Sequence, residues 1–240
     1  MLENVKIEDV LFLDIETVPM VGDFEALSPA LQTLWDKKSA YFRKDGESAQ
    51  DVFERAGIYA EFGKIVCISV GMVFYRNGKR SFRVKSFASD DERGLLTSFA
   101  NMLNAFAVDA NRNVCGHNIK EFDIPYIARR MLVNGVRLPD MLNIAGKKPW
   151  EVKFLDTLEL WKFGDYKHYT SLNLLTTIFD IPSPKDDIDG SEVAQVYYHE
   201  RDLTRIAVYC EKDVLATAQL FLRYKGEPLI DADAVERASS

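Results

Sequence analysis

The stretch from Val10 to Thr17, Val-Leu-Phe-Leu-Asp-Ile-Glu-Thr, constrains this chain most. Four apolar residues in a row read as a buried strand. Two carboxylates then follow, one residue apart. Side chains alternate along a strand, so Asp14 and Glu16 leave it on the same side. Like charges held together are costly unless something positive lies between them. A divalent cation is the obvious candidate, and an all-oxygen pair suits Mg²⁺ or Mn²⁺ better than Zn²⁺. The same residues also fit a strand that stops at Leu13, with both acids solvated in a loop.

Two later stretches bear on that choice. Residues 115–127, Cys-Gly-His-Asn-Ile-Lys-Glu-Phe-Asp-Ile-Pro-Tyr-Ile, fall where a strand ends and a helix begins. That is where α/β sheets bind ligands. Taken alone, Asp123 is a helix cap, Gly116 a point of backbone freedom and Asn118 a turn residue. Residues 207–214, Ala-Val-Tyr-Cys-Glu-Lys-Asp-Val, put Tyr209 and Asp213 four apart, on one face of a helix. A Tyr–Asp hydrogen bond, or a solvated face shared with Glu211 and Lys212, explains that pair equally well.

In combination, D-I-E, then G-H-N-x-x-x-F-D-x-P-Y, then Y-C-x-K-D resemble the three motifs of the DEDDy group of 3′–5′ exonucleases. The wording is most similar to the proofreading exonuclease domain of family B DNA polymerases, and to the stand-alone bacterial family related to it. The resemblance covers residues 10–224, with 20–62 matched only weakly, and the remainder is too short for a polymerase palm or thumb. It implies an α/β, ribonuclease H-like fold with a central five-stranded mixed sheet flanked by helices, a single exonuclease domain over 1–240. It implies a site of Asp14, Glu16, Asp123 and Asp213 holding two divalent metal ions, Mg²⁺ or Mn²⁺, with Tyr209 beside them. Phosphodiester hydrolysis needs an activated water and a stabilised leaving oxygen, and two ions about 3.5–4 Å apart serve both in an in-line displacement. By the resemblance, Asp14, Glu16 and Asp213 hold the ion that activates water, Asp14 bridges to the second, and Asp123 supports that one through water. Tyr209 orients the attacking water, since a phenol with an ordinary pKa near 10 is a poor base at neutral pH. Asn118 and Phe122 would contact the terminal nucleotides, and Ile15 and Thr17 the last base and its 3′-hydroxyl. The expected partner is a single-stranded 3′ end of nucleic acid, DNA rather than RNA, bound by a monomer.

Composition bounds this reading. The chain has 240 residues, of which 47% are hydrophobic and 28% charged, enough for a sizeable core. Its net charge of −7 argues against an extended non-specific nucleic-acid sleeve, but not against an enzyme gripping a strand end through metal ions. Cys67, Cys115 and Cys210 are isolated, which excludes a disulfide framework and suits reduced core thiols in a cytoplasmic protein. The first ten residues lack the apolar core of a signal peptide, and the apolar run 65–75 is too short and too polar to span a bilayer.

Periodicity predicts an antiparallel meander from 10–17, 65–75 and 81–87, with a hairpin turn at 76–79. Helices follow at 90–108, 125–133, 171–179, 192–199 and 203–224, with short strands at 114–117 and 152–155. Within 20–62, helical spacing at 29–35 and 49–62 flanks a polar connector expected to move. Residues 228–240 are expected to fray. Asp187-Ile-Asp189-Gly190 suggests a calcium loop, but Lys185 and Val196 then fall on required ligand positions, so a solvated loop is the better reading. Lys147, Lys148, Lys153, Lys162, Lys167 and His168 interleave with Trp150, Trp161, Phe163, Tyr166 and Tyr169. That pattern fits either a single-strand track or core aromatics under a solvated surface.

Two rivals remain. An aspartyl phosphotransferase would use Asp14 as nucleophile but leaves the Tyr209–Asp213 pair unexplained. A catalytically weak nucleic-acid-binding relic would have little reason to keep all five residue types. An exoribonuclease with the same site is the third alternative.

Overall fold

The computed structural model describes residues 2–152, 154–165, 169–182 and 188–238. Among these, six strands form one mixed sheet: β1 (Val10–Pro19), β2 (Gly63–Arg76), β3 (Lys79–Ala88), β4 (Asn113–Gly116), β5 (Leu155–Asp156) and β6 (Val235–Arg237). Their order is β5-β4-β1-β2-β3-β6. β1, β2 and β3 make the expected antiparallel meander, while β4 pairs parallel to β1, β5 to β4, and β6 to β3. The β2–β3 turn is Asn77-Gly78, both at positive φ, the chemistry a two-residue hairpin requires.

Seven α-helices surround the sheet among the described residues: α1 (Pro29–Ser39), α2 (Glu92–Phe106), α3 (Asp123–Val133), α4 (Thr157–Lys162), α5 (Leu172–Ile178), α6 (Val193–Gln195) and α7 (Leu203–Lys225). Alternation along β1 sorts its apolar residues between two cores. Leu11, Leu13 and Ile15 pack with Leu96 and Phe99 of α2 and Ile124 and Ile127 of α3. Val10 and Phe12 pack with Val214, Ala218 and Phe221 of α7 on the other face. Asp14 and Glu16 continue the second row, so they leave β1 on the face that α7 covers. None of the helices in the described residues is long and apolar enough to cross a membrane.

Several elements differ from the sequence expectation. The sheet has six strands instead of five, because residues expected to fray carry β6, which pairs with Phe82 to Val84 of β3. Arg83 and Arg76 reach across to Glu236 and fasten it there. The helix expected over 49–62 reduces to a 3₁₀ turn, Phe53–Ile58. In its place, 20–62 builds a small core of its own around Trp35, whose indole Nε1 donates to the Ala49 carbonyl at 2.8 Å. The polar connector is pinned to that core by Phe42, which meets the Trp35 ring edge-on and stacks on Tyr59. β5 is only two residues long, since Asp156 ends it by capping α4. The helix expected at 192–199 is α6 followed by a π-helical turn, Val196–Glu200.

Candidate active site

Each motif meets the others along the middle of β1, just past its pairing with β4. α7 lies across that face of the sheet, and one turn of it carries Tyr209, Cys210 and Asp213. Carboxylate oxygens of Asp14 and Glu16 and the Cys210 sulfur lie within 4.8 Å of one another. Asp213 and Asp123 stand outside this tightest group, but both are near enough to Asp14 to raise its pKa. The solvated-loop reading of Asp14 and Glu16 therefore fails: β1 runs on to Pro19, and Glu16 is only 7% exposed.

Asp123 arrives from the other side. β1 pairs with β4 only over Val10 to Phe12, and beyond it this edge of β1 is free. α3 starts there, one residue earlier than its proline suggested. Asp123 does not cap the helix as an N-cap residue; it is the first helical residue. Its carboxylate accepts the Ile15 N–H and its own, and it is 4% exposed. Gly116 makes the approach possible, because a Cβ there would lie 2.7 Å from Ile119 and 2.9 Å from the Leu13 carbonyl.

The electrostatics of the cluster are one-sided. Loss of hydration, then Asp123 and Asp213, push the Asp14 carboxyl well above its usual range. Burial, then Asp14 and Asp213, do the same to Glu16. Burial raises Asp123 to about 7 and Asp213 to about 6. Among the described residues, no Lys or Arg forms an ion pair with any of the four. Four carboxylates gathered without a cation fit one or two divalent ions, and their hard oxygens suit Mg²⁺ or Mn²⁺. The Cys210 thiol donates to Asp14 Oδ2 at 3.3 Å, and burial holds its pKa well up, so it stays a thiol and is no thiolate ligand. Tyr209 donates its hydroxyl to Asp213, and burial followed by the charges of Asp213, Glu16 and Asp14 raises the phenol pKa. The plain Tyr–Asp hydrogen bond is thus present, inside the acid cluster.

Beside Glu16 opens a cavity of about 440 Å³, lined in part by Ile15, Thr17 and Phe122. The fourth candidate for substrate contact, Asn118, does not line it. Asn118 sits in the left-handed region (φ 62°) as a turn residue, and its carbonyl accepts the Glu121 and Phe122 N–H groups.

Sequence reasoning missed what holds that turn. Asp156 is 3% exposed; its Oδ1 accepts the N–H groups of Asn118 (3.0 Å), Leu158 (2.9 Å) and Glu159 (3.4 Å), and its Oδ2 that of Lys120 (3.1 Å). One carboxylate so caps α4 and fixes the loop between β4 and α3. Asp-Thr ahead of Leu-Glu-Leu-Trp was the available signal, an N-cap pattern. Next to it, His117 bridges Thr157 Oγ1 and the Thr170 carbonyl, both at 2.9 Å, and burial lowers its pKa, so the ring is neutral. Cys210 was also missed, having been read as plain core.

The basic and aromatic stretch divides. Trp161 packs against Phe179, whereas Trp150, Phe163 and Tyr169 face outward, and the charges of Asp123 and Asp14 help raise the Tyr169 phenol pKa after burial. Lys153, Tyr166, Lys167 and His168 lie outside the described residues, as do Lys185 and Asp187 of the loop compared with a calcium site.

Comparison with known proteins adds a family and a fold. A family model described as a predicted 3′–5′ exonuclease related to the exonuclease domain of PolB matches residues 58–232. That range holds Asp123, Tyr209 and Asp213; Asp14 and Glu16 precede it and join them through the sheet. No curated protein matches. The family B DNA polymerase of the hyperthermophilic archaeon Pyrobaculum calidifontis is similar in fold, with a TM-score of 0.54 and 18% identity. The similarity covers 89% of this chain and 24% of the polymerase chain, so the chain spans about a quarter of it.

Proposed function

Because the chain belongs to the family of predicted 3′–5′ exonucleases related to the exonuclease domain of PolB, we propose that it removes nucleotides from the 3′ end of single-stranded DNA by metal-dependent hydrolysis. The carrying observation is the gathering of Asp14, Glu16, Asp123 and Asp213, with which no Lys or Arg among the described residues forms an ion pair. Asp14, Glu16 and Asp213 would hold one Mg²⁺ or Mn²⁺, and Asp14 and Asp123 would help to hold a second. Bound there, the ions would supply a water acidic enough to attack and positive charge for the leaving 3′-oxygen. The chain's own groups do the rest. Tyr209 keeps its proton at neutral pH, so it orients the attacking water and does not deprotonate it. Ile15, Thr17 and Phe122 seat the terminal nucleotide in the adjoining cavity. Asn118 holds the turn that carries Phe122, and its side chain would contact the terminal nucleotides. With little positive surface to pull a duplex apart, single strands and frayed ends are the preferred substrates, since splaying a base costs a few kcal/mol.

The test uses 5′-labelled single-stranded DNA, RNA and a mismatched duplex, each with Mg²⁺ or Mn²⁺. A ladder shortening from the 3′ end, with nucleoside 5′-monophosphates released and 3′-phosphate ends resistant, is expected. Faster loss of RNA would reassign the substrate. Phosphatase activity alone, or binding without turnover, would overturn the proposal.

A further inference from the structure

We propose that the turn Phe53–Ile58 is the outer wall of the terminal-nucleotide pocket, and that Ile58 closes it over the base opposite Phe122. This rests on the exonuclease reading above. The cavity next to Glu16 has three sides. One belongs to the motifs: Ile15, Thr17 and Phe122. A second is built by Glu54, Arg55, Gly57 and Ile58, which lie in the 20–62 segment, and Gly190, Ser191 and Ala194 supply the third. A scissile phosphate held at Asp14 and Glu16 leaves the nucleotide beyond it to fill the adjoining space, and about 440 Å³ lies in the range of small-ligand pockets.

The wall is held in register with the acids. Tyr126 donates its hydroxyl to the Gly57 carbonyl at 2.7 Å, and Arg130 Nη1 donates to the Ala60 carbonyl at 2.9 Å. Both residues belong to α3, the helix whose first residue is Asp123. Gly57 packs directly on β1: a Cβ there would be 3.1 Å from the Val18 carbonyl carbon and 3.2 Å from the Pro19 ring. Thr17 is hydrogen-bonded to the same Tyr126 phenol. Turn, strand and acid are thus tied together by hydrogen bonds and direct packing. Within this turn Phe53 and Ala56 face the Trp35 core, whereas Ile58 is 49% exposed and faces the cavity. An aliphatic side chain left uncovered beside an aromatic one suits the flat apolar face of a base, and it offers no hydrogen bond by which to tell one base from another.

The experiment compares strands ending in a normal nucleotide with strands ending in an abasic one. Wild-type protein should cleave the base-bearing end about tenfold faster, because stacking is worth that much or more per base. In Ile58→Ala the preference should shrink to about threefold or less, with the melting temperature unchanged. Ile58→Trp, which fills the cavity, should raise KM for both ends while keeping the Mn²⁺-induced rise in melting temperature. A full preference retained in Ile58→Ala, or no preference in the wild type, would overturn the proposal. A separate arm reads binding of a deoxynucleoside 5′-monophosphate against deoxyribose 5-phosphate in Mn²⁺ by calorimetry. It should show the same tenfold difference and the same loss in Ile58→Ala. Failure of turnover in the wild type would refute the exonuclease reading, and this binding arm would still decide the pocket.

Discussion

α3 carries two buried ionic environments that solve the same problem in opposite ways. Near its C-terminal end, Arg130 pairs with Glu92 through Nη2 at 2.6 Å and Nε at 2.9 Å. Glu92 also accepts the Ile65 N–H at 2.8 Å and the Asn134 amide at 2.9 Å. Every charge there has its counterpart inside the protein. Seven residues earlier, Asp123 joins Asp14, Glu16 and Asp213, where burial pushes all four carboxyls up, neighbouring acids of the cluster add to it at Asp14 and Glu16, and no Lys or Arg among the described residues pairs with them. A buried acid with internal partners is part of the scaffold. Buried acids that repel one another are costly to the fold, and only a cation from solution, or protons, can offset that. The difference separates function from framework on one helix.

The sharpest way to break the contrast is to remove one charged group from each environment. Asp14→Ala or Asp213→Ala should lower turnover by about a thousandfold or more, about 4 kcal/mol of barrier, while the protein folds as before. Near-normal rates in a gel-based cleavage assay would refute the assignment. Tyr209→Phe should lose much less, since the ring stays and only its hydroxyl goes. Arg130→Met should do the reverse. It strands Glu92 in the core and should cost about 3–5 kcal/mol of stability by urea denaturation, while kcat per folded molecule falls far less than in Asp14→Ala. A loss under 1 kcal/mol would mean the pair is not what holds α3.

Protons and metal sharpen the comparison next. Asp123 titrates at about 7 and Asp213 at about 6 in the folded chain, both from an ordinary 3.8. The folded state therefore binds more protons than the unfolded state between about 4 and 7. Stability from this site is present in acid and is lost as pH rises through 6 and 7. In chelator, the wild type should melt higher at pH 5.5 than at pH 8. Mn²⁺ at 100 times its Kd should restore about 2.7 kcal/mol at pH 8. The double variant Asp14→Asn with Asp213→Asn should show a flatter pH profile, a higher metal-free melt and little response to Mn²⁺. Equal metal responses in the two proteins would place the metal elsewhere.

How much of this was legible beforehand follows from range. The β1 strand, the meander and α7 announce themselves because their signals are local: alternation, an Asn-Gly turn, a long apolar stripe ending in Gly226. The five motif residues could be listed from their order in the chain, but their convergence is a property of the sheet. β6 escaped because three residues owe their strand state to β3 and to Arg83 and Arg76, far away in sequence. The 49–62 stretch has helical spacing, yet Gly57 must lie flat on Val18 and Pro19, and that tertiary demand overrides the spacing. The capping role of Asp156 had a local signal, but its hold on the β4–α3 loop did not, because Asn118 and Lys120 lie nearly forty residues upstream.

Asp156 supplies the smallest and most discriminating test, since it is a buried acid of the satisfied kind placed next to the unsatisfied cluster. In Asp156→Asn the shape is kept. Oδ1 can still accept the Asn118, Leu158 and Glu159 N–H groups, but the new amide nitrogen faces the Lys120 N–H, donor against donor. The expected cost is about 1–3 kcal/mol of stability, the desolvation penalty of one buried donor left unpaired. The loop from Asn118 to Phe122 should loosen, so KM should rise more than kcat falls. One further effect points the opposite way. The Asp156 charge helps raise the Asp123 carboxyl, so its removal should let Asp123 ionise at lower pH. The acid limb of the pH–rate profile should then move to lower pH, even as the protein becomes less stable. An unchanged limb with an unchanged KM would make Asp156 a cap for α4 and nothing more.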